Sequence, residues 1–180
     1  MVAANLQAFY IRFLRACLLE GLGDVWTSSP DLEDETQTNC VVFGGQVIAT
    51  CYDEFSWTPA TWNQMMVTDP AHPFSAPTVL VNEGLAYSRE GLRQEGPAAP
   101  GIYAYQKWHS LAKLSGGHFG FVWVQQSGKY LWIDSTNAKR EWAHETEPEA
   151  VHLKYNVPEG NVQVVKLRPL RDPTKDWRIL

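Results

Sequence analysis

The sequence has few cysteines, few basic residues and no long apolar run. Its three cysteines, Cys17, Cys40 and Cys51, are too few and too irregularly spaced for a disulfide framework, and no Cys-x-x-Cys pair suggests zinc. With 15 lysines and arginines against 20 acidic residues, the chain has a net charge of −5, which does not favour binding to phosphate backbones. The longest apolar stretches, such as 41–51, are shorter than the roughly 20 residues that span a bilayer. We therefore expect reduced thiols, no metal, no cofactor, no nucleic-acid partner and no membrane span.

The N-terminal segment resembles a signal peptide only in being mostly apolar. It has no basic leader, and Arg12 and Arg15 interrupt its apolar residues, which favours an amphipathic helix. We expect synthesis in the cytoplasm without a signal peptide, and export by a non-classical route is the alternative. A chain of 180 residues is long enough for one sizeable core, so a single domain over 1–180 is predicted.

The first half of the chain has the pattern of helices. Apolar residues at three- and four-residue spacing predict a helix over 3–20, with Cys17 in its buried face. Asn39 is a good N-cap, so a buried helix is predicted to begin at Cys40, although the β-branched run that follows leaves a strand as the alternative. Gly44 and Gly45 would weaken that helix by about 1 kcal/mol each, which suggests that something packs closely against their backbone. Two short helices are predicted after Thr58 and Ser75.

The second half has the pattern of an antiparallel sheet. The turn residues Ser127 and Gly128 predict a hairpin. Aromatic and β-branched residues predict four strands, at 102–108, 119–125, 130–134 and 162–167. Helices followed by an antiparallel sheet indicate the α+β class.

Three polar residues are candidates for nucleophilic catalysis. A thiol reacts as the thiolate, and a helix N-terminus favours the thiolate, so Cys40 is the candidate nucleophile. His118 begins a strand, with Gly117 directly before it and Gly120 two residues after it, and Asp134 ends the strand paired with it. These positions suit a base and the carboxylate that orients it, with Asn137 as a substitute orienter and His109 as the rival base. Taken singly, each residue has a structural alternative: a buried thiol, a hydrogen-bonded histidine or an Asx turn.

Three short motifs occur in an order found in a known superfamily. Asn39-Cys40-x-x-Phe43 opens an apolar helix, 100–105 reads Pro-Gly-Ile-Tyr-Ala-Tyr, and 117–122 reads Gly-His-Phe-Gly-Phe-Val before the strand that ends in Asp134. Over about 3–137 the chain resembles the papain-like NlpC endopeptidases and amidases and their CHAP relatives.

The resemblance implies a papain-like fold and an amide hydrolase. The expected fold has a helical N-terminal half, with the nucleophile at a helix N-terminus, packed on a C-terminal antiparallel sheet. Cys40 would be the nucleophile, His118 the general base and acid, and Asp134 the third polar group. The substrate would be a peptide amide, commonly in a peptidoglycan stem peptide. Segment 58–95 would then be an insertion, and 141–180 a strand-containing tail.

Departures from this pattern leave other functions open. Val41 and Val42 replace the small pair that usually follows the family's cysteine. The run of His118, Trp132 and Asp134 is also similar to transglutaminase-like proteases, which would imply an acyltransferase. The eight tryptophans suit a peptide cleft or the surface of a non-catalytic protein-binding module. A toxin-like effector, with an immunity or inhibitor protein as its partner, is a further interpretation.

An oxyanion formed during catalysis would need hydrogen-bond donors. Gln106 and Gln37 are candidate side-chain donors to a tetrahedral oxyanion, alongside the backbone N–H of Cys40.

Overall fold

The computed structural model describes residues 2–21, 25–27, 30–31, 33–34, 37–66, 75–87, 99–108, 117–133, 143–146 and 162–171. Within these residues the helices are α1 (Val2–Gly21), α2 (Cys40–Cys51), α3 (Pro59–Met65) and α4 (Ala76–Asn82). The strands are β1 (Val25–Trp26), β2 (Gln37–Thr38), β3 (Gly101–Trp108), β4 (Gly117–Val124), β5 (Tyr130–Ile133), β6 (Ala143–Thr146) and β7 (Val162–Lys166).

The main sheet is antiparallel, with strand order β6-β5-β4-β3-β7. The strand pair β1 and β2 is separate and parallel, and it lies immediately before α2. The hairpin between β4 and β5 turns where the sequence predicts: Gly128 has φ +85° and donates its N–H to the Gln125 carbonyl at 3.0 Å. Helices come first and an antiparallel sheet follows, so the prediction of the α+β class is confirmed.

The main core lies between α1, α2 and one face of the sheet. Phe9, Phe13 and Cys17 of α1 are buried, and the ring of Phe13 meets the edge of Phe121 in β4 at a centroid distance of 4.9 Å. Edge-to-face contact of this kind adds to the free energy gained by burying the two rings. The amphipathic first helix predicted from the sequence is therefore present and covers the sheet.

The two adjacent glycines of α2 are sites of close packing, as the sequence predicts. A Cβ atom at Gly44 would overlap the ring of Phe119 in β4, and one at Gly45 would overlap the indole of Trp57. Each ring therefore rests directly on helix backbone. This contact explains why a buried helix contains two residues of poor helix propensity.

The main sheet has two buried faces. Phe119 and Phe121 point towards the helices, and because side chains alternate along a strand, Val122 and Val124 point to the opposite face. We call this opposite face the outer face. Its buried side chains form a second cluster made of Tyr103, Tyr105, Val122, Val124, Tyr130 and Val164.

Several boundaries differ from the sequence predictions. The short strand β2, at the end of the segment between the first two helices, was not predicted. Strand β4 begins at Gly117, two residues before the predicted start. Strand β6 was not predicted, because its sequence Ala-His-Glu-Thr is short and polar. Among the described residues, no helix is both long and apolar enough to cross a bilayer.

Candidate functional site

Cys40 is the first residue of α2, as predicted. The side-chain oxygen of Asn39 accepts the N–H groups of Val41 and Val42, both at 2.9 Å, and the Asn39 carbonyl accepts the N–H of Phe43. These bonds occupy orphan donors of the first turn and fix the start of the helix at Cys40. The thiol is half-buried, whereas Cys17 and Cys51 are buried.

Helix α2 runs along β4 in the same direction. Its Gly44 lies on Phe119, near the beginning of β4. Its C-cap, Tyr52, donates its hydroxyl to the carbonyl of Arg168 at 2.6 Å. The neighbouring Leu167 bonds to Ile102, which pairs with the far end of β4.

This direction places Cys40 at the end of the sheet where β4 begins. Cys40 lies one turn before Gly44, a distance of about 6 Å along the helix axis. That length corresponds to about two residues of strand, so Cys40 lies towards the start of β4. His118 is the second residue of β4, and the predicted nucleophile and base therefore share one end of the sheet.

The imidazole of His118 lies on the outer face. Its ring centroid is 6.0 Å from that of Tyr105, a member of the outer-face cluster. Tyr105 pairs with Gly120, two residues along from His118, as expected for diagonal neighbours on one face. The adjacent Phe119 points to α2 instead. Cys40 packs against the main core on the helix side, so the thiol and the imidazole lie on opposite faces of the sheet.

The predicted orienting groups and the rival base lie outside the described residues. Asp134 directly follows Ile133, the last residue of β5, and Asn137 lies further along. His109 directly follows the last residue of β3. In the part of the chain that the structure describes, no three His, Cys, Asp or Glu side chains are grouped closely enough to hold a metal ion.

The two glutamines predicted as oxyanion donors both make structural contacts. Gln106 is buried in β3, and its side-chain oxygen accepts the N–H of Ala76, the first residue of α4, at 3.0 Å. Gln37 donates to the carboxylate of Asp34 at 2.8 Å and accepts the backbone N–H of Asp31. The hydrogen bond of Gln106 fixes the start of α4 to the sheet. The sequence of β3 alone could not predict this role, because the partner residue belongs to another element.

The other two thiols differ electrostatically from a reactive cysteine. Burial, and to a smaller extent the neighbouring Cys51, raises the pKa of Cys17 well above its usual value. Burial raises the pKa of Cys51 to about 12, although the charge of Arg12 opposes the shift. A raised pKa means that little thiolate exists near neutral pH. Both thiols are therefore unreactive core residues, as the sequence predicts.

Comparisons with known proteins find no similar sequence or structure. No family model, no curated protein and no solved structure matches this chain.

Proposed function

We propose that this protein is a cysteine hydrolase of papain-like type that cleaves an amide bond. The observation that carries the proposal is the position of Cys40: it is half-buried, it opens a capped helix, and it lies towards the end of the sheet where β4 begins. His118 is the second residue of β4. A helix N-terminus favours thiolate because the helix dipole stabilises negative charge. The dipole provides this effect here, because Asn39 already accepts the N–H groups of Val41, Val42 and Phe43. The other two cysteines lack this setting.

The proposed reaction passes through a thioester. The thiolate of Cys40 attacks the amide carbonyl carbon, and the carbonyl electrons move onto oxygen, where the Cys40 backbone N–H donates to the oxyanion. His118, which holds the proton taken from the Cys40 thiol, gives it to the leaving amine as the oxyanion re-forms the carbonyl and the C–N bond breaks. It then takes a proton from water, which attacks the thioester and releases the acid and the thiolate. Asp134 is proposed to orient the imidazole.

This reaction requires the imidazole to approach the thiol past the end of β4. Gly117 has no side chain of its own to obstruct a turn of the ring away from Tyr105. Catalytic contacts often tighten only when substrate binds. The proposed substrate is a peptide amide, with the peptidoglycan stem peptide as the first substrate to test.

The test is the pH dependence of alkylation at each cysteine, measured by mass spectrometry in the wild type and in His118→Ala. We expect Cys40 to label first near neutral pH, and its profile to move to higher pH without His118. Cys17 and Cys51 are internal controls that should label slowly. His144→Ala is the matched variant, because it removes a histidine from β6 and should leave the Cys40 profile unchanged. Labelling of Cys40 as slow as that of Cys17, and indifferent to His118, would reject the proposal.

Hydrolysis and acyl transfer use the same nucleophile and can be separated by their products. If the protein is a transglutaminase-like acyltransferase, an added primary amine will appear in the product in place of water. Product analysis by mass spectrometry, with and without the amine, distinguishes the two. A Cys40→Ala variant should give neither product.

The second candidate function is a non-catalytic protein-binding module. The observation that favours it is the contact of His118 with Tyr105, on the face of the sheet opposite to α2. In this case Cys40 is a half-buried packing residue and His118 completes the outer-face cluster. Slow alkylation of Cys40 that does not depend on His118 is the expected result.

A further inference from the structure

A cavity of about 350 Å³ lies at the C-terminal end of α2, at the opposite end of the helix from Cys40. Three arginines line it, Arg12 from α1 and Arg168 and Arg171 from the segment after β7. Because α2 has 12 residues, its two ends are about 17 Å apart. The cavity is therefore a separate place in the fold, and its chemistry does not depend on Cys40.

Two of the arginines form ion pairs with carboxylates that directly follow α2. Arg12 donates to the carboxylate of Asp53 at 2.7 Å and to the carbonyl of Thr50 in the last turn of α2. Arg168 pairs with Glu54. These two carboxylates, which also line the cavity, neutralise two of its three guanidinium groups.

Arg168 is also held firmly in place. It donates to the carbonyl of Gly84, and its guanidinium carbon lies 5.2 Å from the centre of the Tyr52 ring. A guanidinium fixed by such contacts keeps one orientation towards the cavity.

The third arginine, Arg171, adds a positive charge that the two carboxylates of the cavity do not neutralise. Arg171 is exposed, and among the described residues no carboxylate pairs with it. The described residues that line the cavity therefore carry one net positive charge, although the whole chain has a net charge of −5. Burial lowers the pKa of Arg168, and the like charge of Arg171 contributes to the same shift. An anion between the two guanidinium groups would relieve this repulsion.

The rest of the lining is apolar. Leu170 and the neutral thiol of Cys51 contribute to the wall. Guanidinium groups match the planar or tetrahedral oxygens of carboxylates and phosphates, and an apolar wall favours a ligand with an apolar body. We propose that this cavity binds a small organic oxyanion, a carboxylate or phosphate attached to an apolar group, with Arg171 as the residue that recognises its charge.

The proposal can be tested by titrating the full-length, ¹⁵N-labelled protein with benzoate and with phenyl phosphate, and following backbone amide shifts. We expect saturable amide shifts around 51–54 and 168–171 with at least one of these probes. The probe that binds more tightly identifies the preferred head group, carboxylate or phosphate. Benzamide, which has the same ring without the charge, should cause no saturable shift there. Added salt should weaken binding, because the attraction is between partly exposed charges.

Two variants locate the binding. Arg171→Gln removes the excess charge from an exposed side chain and should weaken binding about tenfold or more. Arg15→Gln removes an exposed arginine of α1 that does not line the cavity, and it should bind like the wild type. Binding of benzamide as tightly as benzoate, unchanged affinity in Arg171→Gln, or no saturable shift at these residues with either anion would overturn the proposal.

Discussion

Gly44 of α2 lies directly against the ring of Phe119 in β4, with no room for a Cβ atom between them. This contact brings the helix close to the sheet and fixes its position along β4. It therefore determines that Cys40, one turn earlier, lies towards the beginning of this strand. A packing contact between two apolar positions thus sets the location of the candidate nucleophile.

The first prediction concerns this contact. Gly44→Ala should lower the free energy of unfolding, because the cost of overpacking, about 1–3 kcal/mol, outweighs the gain in helix propensity of about 1 kcal/mol. Urea unfolding measures the change. Phe119→Leu should partly relieve the overlap, so the double variant should be less destabilised than the sum of the two single variants. Additive effects would mean that the ring does not determine the cost.

The second prediction concerns the start of α2. Asn39→Ala should lower the free energy of unfolding by about 1–2 kcal/mol, because the N–H groups of Val41 and Val42 lose their buried acceptor. Denaturant unfolding of the pure protein is the measurement. Asn39→Ser keeps a capping oxygen and should recover most of the loss. If serine and alanine were equally destabilising, packing of the asparagine, and not its hydrogen bonds, would be the cause.

Local signals in the sequence predict the helical half well. The N-cap at Asn39 and the apolar run after it locate α2, and the glycine pair signals close packing. These features depend on neighbouring residues alone. The short strand β6 was missed because a polar segment of four residues has no periodic pattern to detect.

The face occupied by His118 could not be predicted from the sequence. Phe119 and Phe121 on one side of β4, and Val122 and Val124 on the other, are all apolar and all buried. Alternation therefore does not reveal which side α2 covers, and a shift of one residue would exchange the two faces. The face is determined by contacts between elements far apart in the chain, such as those of Phe119 with Gly44 and of Phe121 with Phe13.

The third prediction separates a structural role of Gln106 from a catalytic one. Gln106→Leu should lower the free energy of unfolding by about 1–3 kcal/mol, because the N–H of Ala76 loses its buried acceptor. Gln37→Leu, whose bonds lie in a more exposed loop, should cost less. Thermal and urea unfolding of both variants give the comparison. Full stability of Gln106→Leu would argue against the anchoring role of this side chain.

The last prediction follows from the buried thiol of Cys51. Burial raises the pKa of this thiol from 9.0 to about 12. Because the folded state holds the proton more tightly than the unfolded state, folding is favoured most below pH 9, and this contribution is lost as the pH rises from about 9 to about 12. Between pH 8.5 and pH 10.5 the loss of folding free energy due to this thiol should be about 2 kcal/mol, since each pKa unit corresponds to about 1.4 kcal/mol.

Urea unfolding at the two pH values measures this loss in the wild type and in Cys51→Ala. The variant leaves a small void and should be less stable at pH 8.5, but its stability should fall less between the two pH values. An equal slope in Cys51→Ala would mean that the thiolate is tolerated in the core, for which the nearby charge of Arg12 would be the physical reason.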